Sequence, residues 1–311
     1  MEYLELLGGL ILLLASGEAL VKGAVGIARR FNLSPLVIGM TIVAFGTSAP
    51  ELLVCLQAAL SGHPDLAVGN VIGSNIANLG LVLGLTALIF PIPVNRNSLR
   101  IDWPMMMITL VVFYIFAWDG TLDMIEGVIF VVWLLVFMFW LIRKSGKTEA
   151  ALAEEEIKNE RMGSVYRNLL FLGLSCFGLI VGADYFLSGA TQIAINFQVP
   201  DRIIAVTIVA LGTSLPEVIT SVVAAYRKHT DIAIGNLVGS CIYNLLGILG
   251  VTAIVKSIAI NPTMMNIDYW WMIGVSVAMF PIMIIFKKFN RLSGIFFLSI
   301  YVVYILFVLI K

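Results

Sequence analysis

The chain is short of charge. Only 12% of its 311 residues are Asp, Glu, Lys or Arg, where an ordinary soluble domain carries about 25%, and 60% are hydrophobic. That shortage excludes a soluble globular fold. Cysteine occurs three times and histidine twice. Cys55, Cys176 and Cys241 lie far apart in apolar segments, without the paired spacing of a disulfide framework or a zinc site. Neither sign of charge is in excess, with 19 basic and 19 acidic residues, so no nucleic-acid partner is indicated. The apolar residues run continuously rather than in alternation, which excludes an outer-membrane barrel. No secretory signal is expected, because Glu2 and Glu5 stand where positive charge is needed and the apolar run behind them is too long.

What is present is a series of long apolar segments. They predict an all-α membrane protein of ten spans, near 4–28, 35–61, 66–90, 103–118, 124–142, 168–190, 203–226, 232–255, 269–286 and 293–310. Ten spans of about 20 residues use about 200, which the apolar fraction supplies. Pro35, Pro64, Pro91, Pro93, Pro200 and Pro262 fall at the breaks, where a missing N–H costs little. The one long polar stretch runs from about Arg143 to Arg167 and contains Glu154, Glu155 and Glu156. It reads as a solvated linker, 146–165, between a first half, 1–145, and a second, 166–311.

Charge sets the expected orientation. Connections after the odd-numbered spans hold 15 of the 19 Lys and Arg, and the opposite side holds only Arg202, Lys256 and Lys311. The positive-inside rule then places the linker in the cytoplasm and both termini outside a cytoplasmic (inner) membrane crossed many times. The lipid bilayer is the partner indicated, and no obligate protein partner is evident.

The sequence repeats itself. TIVAFGTSAPE (41–51) matches TIVALGTSLPE (207–217), and GNVIGSNIANL (69–79) matches GNLVGSCIYNL (235–245). Both pairs are 166 residues apart, as are Glu18 and Asp184, Gly23 and Gly189, and Asn95 and Asn261. Five spans per half is an odd number, so the halves are expected to enter the membrane in opposite directions. That is the inverted-topology architecture of secondary transporters, with substrate bound near the midplane.

Two acidic residues carry the chemistry. Glu51 and Glu217 each follow a proline inside an apolar span, where an ionised carboxylate costs roughly 2.5–3.5 kcal/mol on insertion scales. Neither has a Lys or Arg near it in its own helix, so a bound cation is the natural partner. Thr47 and Ser48 share the helical face of Glu51, and Thr213 and Ser214 that of Glu217. Ser74 and Asn78 are four apart, as are Ser240 and Asn244. Gly46 and Pro50, with Gly212 and Pro216, weaken the helical ladder, so the carbonyls of Ala44 and Ala210 are expected to turn toward an ion. This set of carboxylate, hydroxyl, amide and carbonyl oxygens suits a hard cation such as Ca²⁺. Glu18 and Lys22, four apart, read as a structural ion pair, and His63 and His229 as solvated turn residues.

GTSAPE with GNVIGSNIAN, repeated as GTSLPE with GNLVGSCIYN, resembles the two alpha-repeats of the calcium/cation antiporter superfamily, sodium/calcium exchanger type, over the whole chain. The resemblance implies exchange of Ca²⁺ for Na⁺ by alternating access, with no cofactor. It makes Glu51 and Glu217 the central ligands. Thr47, Ser48, Ser74 and the Ala44 carbonyl join them in one repeat, and Thr213, Ser214, Ser240 and the Ala210 carbonyl in the other, with Asn78 and Asn244 completing the cluster. At Asn244 known exchangers of this type carry Asp, so here two carboxylates stand in place of three. Ca²⁺/H⁺ or K⁺-dependent exchange on the same scaffold is the alternative. An intramembrane metalloenzyme is disfavoured, because no nucleophile–base pair lies in the spans.

Overall fold

The computed structural model describes residues 1–144, 164–199 and 212–310. Most of the linker, 146–163, and the start of the seventh expected span, 203–211, lie outside the described residues. Apolar composition does what it predicts in the rest, which is mostly helical. The membrane helices are α1 Glu2–Phe31, α2 Pro35–Thr47, α3 Ala49–Leu60, α4 Pro64–Ile89, α5 Ser98–Asp119, α6 Met124–Lys144, α7 Val165–Asn196, α9 Thr230–Val255, α10 Met264–Ile285 and α11 Arg291–Ile310. The twelve-residue helix Leu215–Tyr226, α8, is all that is described of the span expected at 203–226.

Among the described residues eight helices are long and apolar enough to cross a bilayer, and the bent pair α2–α3 makes a ninth. The single helix expected at 35–61 is instead two, meeting at 46°. The break falls at Ser48, whose ψ of 8° leaves the helical range. Pro50 follows in the first turn of α3, where proline lacks only an N–H that has no helical partner anyway.

The duplication is visible in the backbone. α3 and α8, and the turns that open α4 and α9, begin 166 residues apart. α4 and α9 each widen into a π-helical stretch, at Asn78–Val82 and at Asn244–Leu249, and α5 and α10 each open with one, Ser98–Asp102 and Met264–Asp268. Among the described residues, every position with positive φ has its counterpart in the other half. Asn32 (52°) answers Gln198 (58°) and Gly62 (86°) answers Lys228 (64°) at the 166-residue offset, and Gly120 (84°) answers Lys287 (51°) one residue further on.

Four two-residue strands, absent from the sequence reading, tie the halves together. They are β1 Ile92–Pro93, β2 Thr121–Leu122, β3 Ile258–Ala259 and β4 Lys288–Phe289; β1 pairs antiparallel with β4, and β2 with β3. Each ladder is extended by one more bond, Val94 N–H to the Lys287 carbonyl at 2.9 Å and Ile260 N–H to the Gly120 carbonyl at 2.8 Å.

α1 and α7 lie side by side and run in opposite directions. Gly9 approaches Gly182 and Phe186, while Gly23 approaches Asn168 and Leu172. Glu18 accepts from Lys22 at 2.9 Å, as expected, and also from both ends of the Arg227 guanidinium at the close of α8. It is therefore a bridge between helices as well as a pair within one. At the centre α2 crosses α9 at backbone contact: a β-carbon on Gly39 would lie 2.6 Å from the Ile232 carbonyl oxygen, and one on Gly235 2.5 Å from that of Leu36. This crossing brings the end of α2 against the middle of α9.

Candidate cation-binding site

The break at Ser48 places Glu51 at a helix start, and Glu217 stands at the start of α8. Glu51 lies in the first turn of α3 and Glu217 in the first turn of α8, where unpaired N–H groups favour negative charge. Both are buried, with 1% and 0% of their surface exposed. Among the described residues no lysine or arginine forms a salt bridge with either.

The halves interlock around them. Ser48 donates to Glu217 Oε1 at 2.9 Å and lies 3.1 Å from the Ser240 hydroxyl, so a residue of the first repeat holds the carboxylate of the second. Thr47 donates to Asn236 Oδ1 at 3.1 Å, and Asn236 Nδ2 donates to Ser221 Oγ at 3.1 Å. The π-helical stretch opening at Asn244 packs on α3, which carries Glu51, and the one opening at Asn78 packs on α8, which carries Glu217. A widened turn of this kind breaks the regular i to i−4 ladder and commonly marks a functional segment.

Several buried polar atoms here have no hydrogen-bond partner among the described residues: Glu51 Oε2, Glu217 Oε2, Asn244 Oδ1, both amide atoms of Asn78, and Ser214 Oγ. Leaving one such group unsatisfied costs about 1–3 kcal/mol, more when it is charged. The oxygens among them match a hard cation, which draws on oxygen alone; the Asn78 amide nitrogen does not. Among the described residues no cluster of three His, Cys, Asp or Glu occurs, so neutral oxygens would have to complete any shell.

Of the residues singled out from sequence, the structure brings together Ser48, Glu217 and Ser240 by direct contact and buries Thr47, Glu51, Ser74, Asn78, Ser214 and Asn244. Thr213 is only half-buried. Ala210 lies outside the described residues. The Ala44 carbonyl is less free than expected: it accepts from Ser48 N–H at 3.0 Å and lies 3.4 Å from Thr47 Oγ1. The bend comes after this carbonyl, so its helical bond survives. Sequence reading passed over Asn236 and Asn75. Asn236 stands in the repeated GN dipeptide and was legible there; Asn75 faces Cys241 in the alignment of the halves, and a mismatch carries no repeat signal.

A helical membrane protein whose interior gathers two acidic groups and a set of neutral oxygens belongs to the class of cation transporters. The comparisons narrow the class. The family described as "Sodium/calcium exchanger protein" matches residues 2–143 and 167–310, and the chain belongs to that family. It is 30% identical to sodium/calcium exchanger MaX1 of Methanosarcina acetivorans, over 98% of this chain and 97% of that one. It is 36% identical to inner membrane protein YrbG of Escherichia coli, over 88% of this chain and 85% of the relative. A solved structure of the sodium-calcium exchanger NCX_Mj aligns with a TM-score of 0.83 at 32% identity, covering 97% of both chains. The protein is thus a membrane antiporter of the cation exchanger type, and not an enzyme.

Proposed function

We propose that the protein exchanges Ca²⁺ for Na⁺ across the cytoplasmic membrane by alternating access. Glu51 and Glu217 are the shared ligands, completed by oxygens of Thr47, Ser48, Ser74, Asn78, Thr213, Ser214, Ser240, Asn244 and the carbonyls of Ala44 and Ala210. The observation that carries this reading is the cross-repeat contact from Ser48 to Glu217, beside two carboxylate oxygens that are buried without a partner among the described residues. Two carboxylates neutralise one Ca²⁺, and competition between Ca²⁺ and Na⁺ for the same pair couples their movements. An empty pair of buried charges is costly to carry through a closed state, which suppresses leak.

The scaffold in this reading is ten helices in two five-helix repeats of opposite direction, 1–145 and 166–311, joined by a cytoplasmic linker, with both termini outside. Two observations support the inversion. α1 and its counterpart α7 run antiparallel. β1 and β2 are separated by the spanning helix α5, so they lie at opposite faces, yet β4, the counterpart of β2, pairs with β1. Counterparts on opposite faces require repeats that run in opposite directions.

The test is uptake of radioactive Ca²⁺ into proteoliposomes, driven in turn by an imposed Na⁺ gradient and an imposed pH gradient. Na⁺-driven uptake is expected, falling to background in Glu51→Gln and in Glu217→Gln. Uptake driven only by the pH gradient would favour Ca²⁺/H⁺ exchange on the same carboxylates. Wild-type rates in Glu51→Gln would remove the assignment.

A further inference from the structure

Asn75 stands outside the ligand set proposed above, yet it holds one member of it. Its Oδ1 accepts from Asn244 Nδ2 at 3.0 Å, while its own Nδ2 donates to the Cys241 carbonyl at 3.3 Å and lies 3.6 Å from Met272 Sδ. A carboxamide has one end that attracts a cation and one that repels it. With its amino end committed to Asn75, Asn244 has only Oδ1 left to offer. That oxygen is buried without a partner among the described residues, on the π-helical stretch that packs against the Glu51 helix.

The clamp is one-sided. The repeat counterpart of Asn244 is Asn78, and the counterpart of Asn75 is Cys241. A thiol is a weak hydrogen-bonding group, and both amide atoms of Asn78 are buried without a partner among the described residues. One central amide is held by a hydrogen bond, and the other has none among the described residues.

We infer that Asn75 is a positioning residue that fixes Asn244 with its carboxamide oxygen toward the cation site. Asn244 is then a pre-oriented ligand, and binding loses no free energy to turning it. The inference rests on the two-glutamate site proposed above.

The test measures Ca²⁺ dependence of uptake in proteoliposomes. Asn75→Cys places at this position the side chain of its repeat counterpart. It is expected to raise the half-saturating Ca²⁺ concentration about tenfold, with the maximal rate within about twofold of wild type. Asn75→Ser serves the same purpose should the cysteine variant fail to fold. In an Asn244→Asp background the carboxylate presents oxygen whichever way it turns, so the same substitution is expected to change half-saturation by less than about threefold. An equal shift in both backgrounds, or a lowered maximal rate at unchanged half-saturation, assigns Asn75 to packing alone and overturns the inference. The underlying site is read separately, from Ca²⁺-dependent thermal stabilisation of the purified protein. If that stabilisation persists in the Glu51→Gln/Glu217→Gln double variant, the site itself is overturned and the inference with it.

Discussion

Two lysines occupy backbone positions that suit glycine. Lys228 and Lys287 have φ of 64° and 51°, and their counterparts in the first half are Gly62 and Gly120. A side chain in the left-handed region strains against its own carbonyl by about 1–2 kcal/mol, while glycine gives part of that back through the greater freedom of its unfolded chain. Lys228→Gly and Lys287→Gly are therefore each expected to stabilise the folded protein by about 0.5–1 kcal/mol, read as a raised Tm in detergent. Unchanged or lowered Tm values would mean that these lysines make compensating contacts. At the proposed cation site the same scale governs. Ser48 is one hydroxyl on one helix end, yet its contact with Glu217 joins the halves.

Elements do what single residues cannot. The break between α2 and α3 turns one span into a helix end and a helix start, which aims Thr47 and Ser48 at α9 and puts Glu51 in a first turn. The crossing of α2 with α9 holds this arrangement, and it depends on the missing side chains of Gly39, Gly235 and Gly239. Gly235→Ala would drive a methyl group into the Leu36 carbonyl, and overpacking of a close contact costs typically 1–3 kcal/mol. A Tm lowered by several degrees and weakened Ca²⁺ uptake are expected, because the helices must separate where Thr47 meets Asn236. Gly8→Ala, where a β-carbon meets nothing within 4 Å, is the matched control and is expected to leave both unchanged.

At the scale of the whole molecule, cross-repeat pairing decides the assembly. Each ladder joins a loop of one half to a loop of the other, and the two ladders are counterparts of one another. Each half lends its strands to the other, so neither completes its own ladder. The proposed orientation is tested by single cysteines in a background lacking the three native ones. Arg96→Cys and Lys288→Cys, at the β1–β4 face, are expected to react with a membrane-impermeant thiol reagent only after permeabilisation. Trp118→Cys and Ser257→Cys, near the β2–β3 ladder, are expected to react in intact cells. The reverse pattern would invert the orientation derived from charge.

Much of this was legible in residue order. Continuous apolar runs mark spans because a bilayer admits few polar groups, and the observed helices match most expected ranges to within a few residues. The duplicated GTS-PE and GN-GS motifs single out Glu51, Glu217 and their neighbours because a buried carboxylate needs a partner wherever the chain folds. The split of the second span at Ser48, the strand ladders and the role of Asn75 were not legible. A helix bends where its neighbours satisfy the freed backbone groups, and two-residue strands have no periodicity of their own. Which amide meets which across 169 residues, as Asn75 and Asn244 do, is settled only when α4 and α9 pack together. Local chemistry named the buried polar groups; the packing of one half on the other decided how they face one another.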